Sequence, residues 1–204
     1  MSLRWLALGD SYTIGEGVAA EDRWPPQLAR ALRGEGVDLA DPQIVAATGW
    51  TTGELSAAID AAAPADDFEL VSLLIGVNNQ YRGRGLDEYR GEFSALLGRA
   101  AGFAGGRAGR VLVLSIPDWG VTPFAAGSGR DPGQIAAEID AFNAAAAAVC
   151  DARDVALIDV TAVSRVHGGE AEMLAADGLH PSAAMYALWA GLALPVARQM
   201  LAGP

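Results

Sequence analysis

The chain contains no lysine: all 14 basic residues are arginine, against 25 acidic residues and a formal net charge of −11. Such a surface repels phosphate backbones and anionic headgroups at long range, which argues against nucleic acid as a partner. Cysteine is nearly absent too. With Cys150 alone, neither an internal disulfide nor a thiolate-rich metal site can form. No apolar run approaches the roughly 20 residues of a membrane-spanning helix; the longest candidate, 144–149, is short and mostly alanine. Residues Met1 to Leu8 run straight into a glycine turn, with no basic region followed by a long apolar stretch, so cytoplasmic residence is the expectation.

What is present is a large apolar fraction, 51% of 204 residues with only 19% charged, enough to build a core and far from the composition of a disordered chain. The length suits one compact domain over 1–204, and no internal repeat or low-complexity segment argues otherwise. Short aliphatic and β-branched runs recur at Leu3–Leu8, Gln43–Ala46, Leu70–Ile75, Arg110–Ile116 and Val155–Val160, and predict five buried strands. Segments of helical spacing fall between them at Pro25–Arg33, Gly53–Ala62, Asp87–Ala101 and Gly133–Cys150, with a last helix over Ala183–Leu201. This alternation predicts an α/β fold, a parallel sheet with helices on both faces. The stretches Pro117–Pro132 and Thr161–Ser182 read as long loops.

Ligands of open α/β sheets gather outside the carboxyl ends of the strands. The polar residues there are Asp10, Ser11 and Thr13 after the first run, Thr48 and Gly49 after the second, and Asn78 and Asn79 after the third. Asp177-Gly178-Leu179-His180-Pro181 precedes the last helix. A hydroxyl, an imidazole, a carboxylate and an amide at one edge are the parts of acyl transfer. Of the two histidines, His180 has Asp177 three residues before it, a spacing that lets the carboxylate accept from Nδ1 and leaves Nε2 for the Ser11 hydroxyl. His167 lies in a glycine-containing segment and reads as a solvated loop residue. Three donors could receive an oxyanion: the Ser11 N–H, the Gly49 N–H and the Asn78 side-chain amide, with glycine at 49 permitting close backbone approach. Asp10 reads as a hydrogen-bonding support for the nucleophile loop, and Cys150 as a small core residue. Asn79, Tyr81 and Trp119 are candidates for lining a substrate pocket, and Arg165 for shaping substrate choice.

Taken in order, Gly9-Asp10-Ser11, Gly49, Gly76-Val77-Asn78 and Asp177-x-x-His180 resemble the four sequence blocks of the SGNH (GDSL-type) serine hydrolases, over essentially the whole chain. The resemblance implies a three-layer, flavodoxin-like fold with a five-stranded parallel sheet of order 2-1-3-4-5. It implies a Ser11-His180-Asp177 triad and an oxyanion hole from Ser11, Gly49 and Asn78, with no cofactor and no metal. The first block of that family often continues with leucine where this chain has Tyr12, and its third is usually Gly-x-Asn-Asp where this chain has Asn79. The activity implied is hydrolysis of small-molecule carboxylic esters of short to medium acyl length. Thioesters, lysophospholipids and acetylated carbohydrates stay open as substrates, and oligomeric state is not legible. Two other readings are a flavin or nucleotide binder, whose phosphate would sit in the Ser/Thr/Gly loop, and a non-catalytic binding module on the same fold.

Overall fold

The computed structural model describes residues 2–202. Its five strands are β1 (Trp5–Gly9), β2 (Gln43–Ala46), β3 (Leu70–Leu74), β4 (Val111–Leu114) and β5 (Ala156–Ile158), all paired in parallel in the order β2-β1-β3-β4-β5. Every residue of β1, β3 and β4 is buried, whereas the edge strands β2 and β5 are only half covered. A parallel strand covered on both faces must be largely apolar on both, which is why the three central strands read as near-continuous hydrophobic runs, broken in β3 only by Ser72.

Crossover helices supply the two outer layers. On one face α2 (Trp24–Gly34) packs against α9 (Ala183–Ala202); on the other, α3 (Thr52–Ala62) and α7 (Pro132–Asp151) flank α5 (Leu86–Phe103). The first layer is filled by Trp5, Trp24, Tyr186 and Trp189, with the Trp5 indole donating to Ser72 Oγ at 3.1 Å. The second centres on Tyr89, whose ring lies 4.6 Å from Phe142. Cys150 closes α7 in the core, and burial pushes its thiol up to about 12, so it is a packing residue without thiolate chemistry.

Two expected loops contain short helices. The segment after β4 forms a 3₁₀ turn at Trp119–Val121 and α6 (Pro123–Ser128), started by Thr122, whose hydroxyl accepts from Ala125 N, and by proline at the first helical position. The segment after β5 forms α8 (Thr161–His167) and a 3₁₀ turn at Ala171–Met173. His167 therefore ends a helix instead of lying in a loop, and its Nδ1 meets Glu170 Oε1 at 3.0 Å. Two further short helices follow strands directly: α1 (Ser11–Ile14) after β1 and α4 (Val77–Tyr81) after β3.

Asp10 caps α1: its Oδ1 accepts from Tyr12 N at 3.0 Å, while Oδ2 has no hydrogen-bond partner among the described residues. Complete burial pushes this carboxyl from 3.8 up to about 7, against the weaker downward pull of the backbone N–H groups. An acid whose pKa rises on folding contributes stability that is fully present below 3.8 and is lost as pH rises through about 7. Asp10→Asn keeps the acceptor for Tyr12 and removes the titration. Denaturant titrations across that window should show the wild type losing stability relative to Asp10→Asn as pH rises, by up to about 1.4 kcal/mol per pH unit. Parallel pH profiles for the two proteins would show that Asp10 does not titrate there.

Candidate active site

The chain leaves β1 toward β2 on one side and returns to β3 on the other, so the carboxyl ends of β1 and β3 open a crevice where their loops diverge. Ser11 enters it from α1 and is 4% exposed. Its carbonyl accepts from Gly15 N at 2.9 Å and Glu16 N at 3.1 Å, which fixes the turn that carries the hydroxyl. As the first N–H of a helix, the Ser11 amide has no intrahelical acceptor.

From β2, Gly49 approaches with φ +86, a left-handed conformation that side-chain-bearing residues rarely adopt. Room is not the constraint there: a Cβ at Gly49 would meet only Arg82 Nη2, at an ordinary 3.7 Å. The carbonyl of Gly49 accepts from that same Arg82 nitrogen at 2.6 Å, and Glu54 holds the other arm of the guanidinium. From β3, Gly76 turns the chain into α4 at φ +132, where a Cβ would stand 2.6 Å from the Tyr89 ring and 2.9 Å from Ile116. Asn78 follows, and one hydrogen of its Nδ2 is donated to Trp50 O at 2.9 Å, which leaves the second free to point elsewhere.

Asn79 does not join the pocket. It is fully buried, accepting from Thr52 N at 3.0 Å and donating to Thr52 Oγ1 at 2.7 Å, and so ties the β3 loop to the start of α3. The Thr52 hydroxyl passes its own hydrogen to Glu92. The side chain at 79 thus needs a donor and an acceptor facing Thr52, which an amide supplies and an ionised carboxylate does not.

His180 arrives from the opposite wall, 9% exposed. Its Nδ1 lies 2.5 Å from Asp177 Oδ2, while Asp177 Oδ1 accepts from Leu179 N at 2.9 Å and His180 N at 3.0 Å. Burial raises the Asp177 carboxyl, but the hydrogen bonds from the His180 ring and the two backbone N–H groups outweigh it and hold the carboxyl below its ordinary range. An ionised carboxylate only accepts, so Nδ1 carries a hydrogen and Nε2 is the ring nitrogen left for the cavity. The Tyr12 ring, 5.8 Å from the imidazole, packs behind it.

Ser11, Gly49, Asn78 and His180 line one cavity of about 200 Å³, together with Tyr81 and Trp119. Phe124 and Leu179 complete its apolar wall; neither was singled out from the sequence for this role, and an aromatic beside the Thr122-Pro123 helix start was the available signal for Phe124. Arg165 does not reach the cavity. Its Nε donates to Asp118 at 2.8 Å and its Nη2 to Asp140 at 2.8 Å, so it anchors Asp118, whose other oxygen accepts from Gly120 N at 2.8 Å. The cavity thus combines a hydroxyl, an oriented imidazole and several N–H donors over an apolar floor, a set suited to acyl transfer.

The profile of the GDSL-like lipase/acylhydrolase family matches residues 7–188. Among solved structures, TesA superposes with a TM-score of 0.76 at 22% identity, covering 97% of this chain and 99% of that one. A lipase/acylhydrolase from Enterococcus faecalis gives 0.75 at 19% identity over 97% and 96% of the two chains. Phospholipase A1 from Streptomyces albidoflavus NA297 gives 0.69 at 19% over 98% and 100%. No curated protein sequence matches the chain. At these identities the structural likeness speaks for the α/β/α fold, and the profile, spanning most of the sequence, speaks for the family: the chain belongs to the GDSL-like lipases and acylhydrolases.

Proposed function

We propose that the protein hydrolyses carboxylic esters of short to medium acyl length through an acyl-enzyme on Ser11. The observation that carries this reading is the Asp177–His180 pair at 2.5 Å on the wall of a cavity that Ser11 also lines. His180 Nε2 takes the Ser11 proton as Oγ attacks the ester carbonyl. Negative charge on the carbonyl oxygen is received by the Ser11 N–H, the Gly49 N–H and the second hydrogen of Asn78 Nδ2. His180 then protonates the departing alkoxide, and Asp177 stabilises the imidazolium in the interval. Water, deprotonated by the same nitrogen, attacks the acyl-enzyme and releases the carboxylic acid.

A cavity of about 200 Å³, walled by Tyr81, Trp119 and Phe124, favours compact acyl groups. The net charge of −11 weighs against anionic lipid surfaces. A flavin or nucleotide phosphate in the loop after β1 would meet the Asp10 and Glu16 side chains and leave the Asp177–His180 pair without a task.

Three variants test the assignment against p-nitrophenyl esters of increasing acyl length. Ser11→Ala should bring turnover down to the buffer blank; equal activity in both proteins would remove Ser11 as nucleophile. Asp177→Asn should lower kcat by about 10,000-fold, because an amide at 177 favours the wrong imidazole tautomer. Asn78→Ala should lower kcat by about 100- to 1,000-fold with KM nearly unchanged, the mark of a donor used in the transition state. An Asn78→Ala effect confined to KM would assign that side chain to ground-state binding.

A further inference from the structure

Beyond the cavity, on the α4 and α7 side, lies a second and larger groove of about 610 Å³ lined by Gln80, Arg82, Arg84, Arg130, Gln134 and Glu138, and Tyr81 borders both spaces. From the wall of the first to the lining of the second runs a hydrogen-bonded line, beside the Tyr81 ring that packs on Trp119 at 5.4 Å. Trp119 Nε1, in the cavity wall, donates to Gln80 Oε1 at 2.9 Å, and Gln80 Nε2 donates to Glu138 Oε2 at 2.6 Å. Glu138 is itself fixed by Arg130 Nη2 at 2.6 Å and by Gln134 Nε2 at 2.8 Å. Trp119 and Gln80 are each 2% exposed, and the Arg130 guanidinium stands 5.3 Å from the centre of the indole. An indole N–H only donates and a carboxylate only accepts, so the Gln80 amide between them has one satisfactory orientation. Among the described residues, no side-chain hydrogen bond of this line runs to Ser11, Gly49, Asn78 or His180.

We infer that Glu138, acting through Gln80, pins the Trp119 indole as the partition that ends the acyl cavity, and so sets the upper length of the acyl group. Glu138 and Gln80 are positioning residues for specificity and take no part in the chemical steps. Released from Gln80, the indole swings toward the groove, the two spaces join, and longer chains gain room past Tyr81. This inference rests on the proposed ester hydrolysis and adds to it what limits the substrate.

The test is kcat/KM for p-nitrophenyl acetate and p-nitrophenyl octanoate in the wild type and three variants. The wild type should favour acetate. Glu138→Ala removes the acceptor, and Gln80→Glu sets two carboxylates against each other; each should raise the octanoate-to-acetate ratio about tenfold, within the range by which one pocket contact discriminates chain length. Acetate kcat should stay within about twofold of wild type. Gln80→Glu leaves an acceptor for Trp119 but displaces it by repulsion from Glu138; the double variant Gln80→Glu with Glu138→Gln keeps that acceptor, restores a donor–acceptor pair between 80 and 138, and should return the ratio to the wild-type value. A wild type that already favours octanoate, an unchanged ratio in both single variants, or a double variant without recovery would each overturn the partition. Loss of acetate turnover in the single variants would also overturn it, by reducing the line to a folding role. Acetate hydrolysis that survives Ser11→Ala would instead sink the ester-hydrolase reading, a result read in a different protein from those that test the partition.

Discussion

The whole arrangement depends on β1 being flanked on both sides by parallel partners reached in opposite directions. Leu6 pairs with Gln43 on one side and Val71 on the other, and the same alternation continues to Gly9 between Ala46 and Leu74. Three loops from three strands therefore leave the sheet at one level and must diverge. The crevice they leave holds Ser11, Gly49 and Asn78 without any of them having to move toward the others. A different strand order would scatter the same three residues along the edge.

This geometry carries a local cost that the core has to absorb. Asp10 lies in the first turn beyond β1 with one carboxyl oxygen unpartnered, and an unpaired buried polar group is destabilising. The apolar layers around it, with Trp5, Trp24 and Trp189 on one face and Tyr89 and Phe93 on the other, supply the compensating burial. Oriented support recurs at the rim: Arg82 joins the Gly49 carbonyl to Glu54, and Glu54 accepts from Thr51 at the start of α3. Loop positions are thereby fixed by charged hydrogen bonds to helix ends.

The sheet was legible because burial on both faces imposes apolar runs, and its class followed from the alternation with helical segments. Ser11 stood out in the sequence by its place after the first strand, and Asp177 and His180 by their three-residue spacing before the last helix, signals that depend only on nearby chain. Asn79 was misplaced because its partner, Thr52, lies 27 residues away and no local pattern announces that contact. The line from Trp119 through Gln80 to Glu138 was invisible for the same reason, spanning 39 and 58 residues in its two hydrogen bonds. His167 was read as a loop residue because α8 is short and is followed by two glycines, a composition that resembles a turn.

The imidazole and its carboxylate sit on one short segment that is pinched at its base. Ala175 N donates to His180 O at 2.7 Å, Ser182 N to Met173 O at 2.9 Å, and Leu174 bridges Pro181 in antiparallel fashion. His180 and Asp177 thus belong to one locally closed segment, held by contacts that do not involve the sheet. Local opening of that segment would displace both side chains together while the turn that carries Ser11 stays anchored to β1, so the free energy that holds the pair in place is that of the pinch instead of the whole fold.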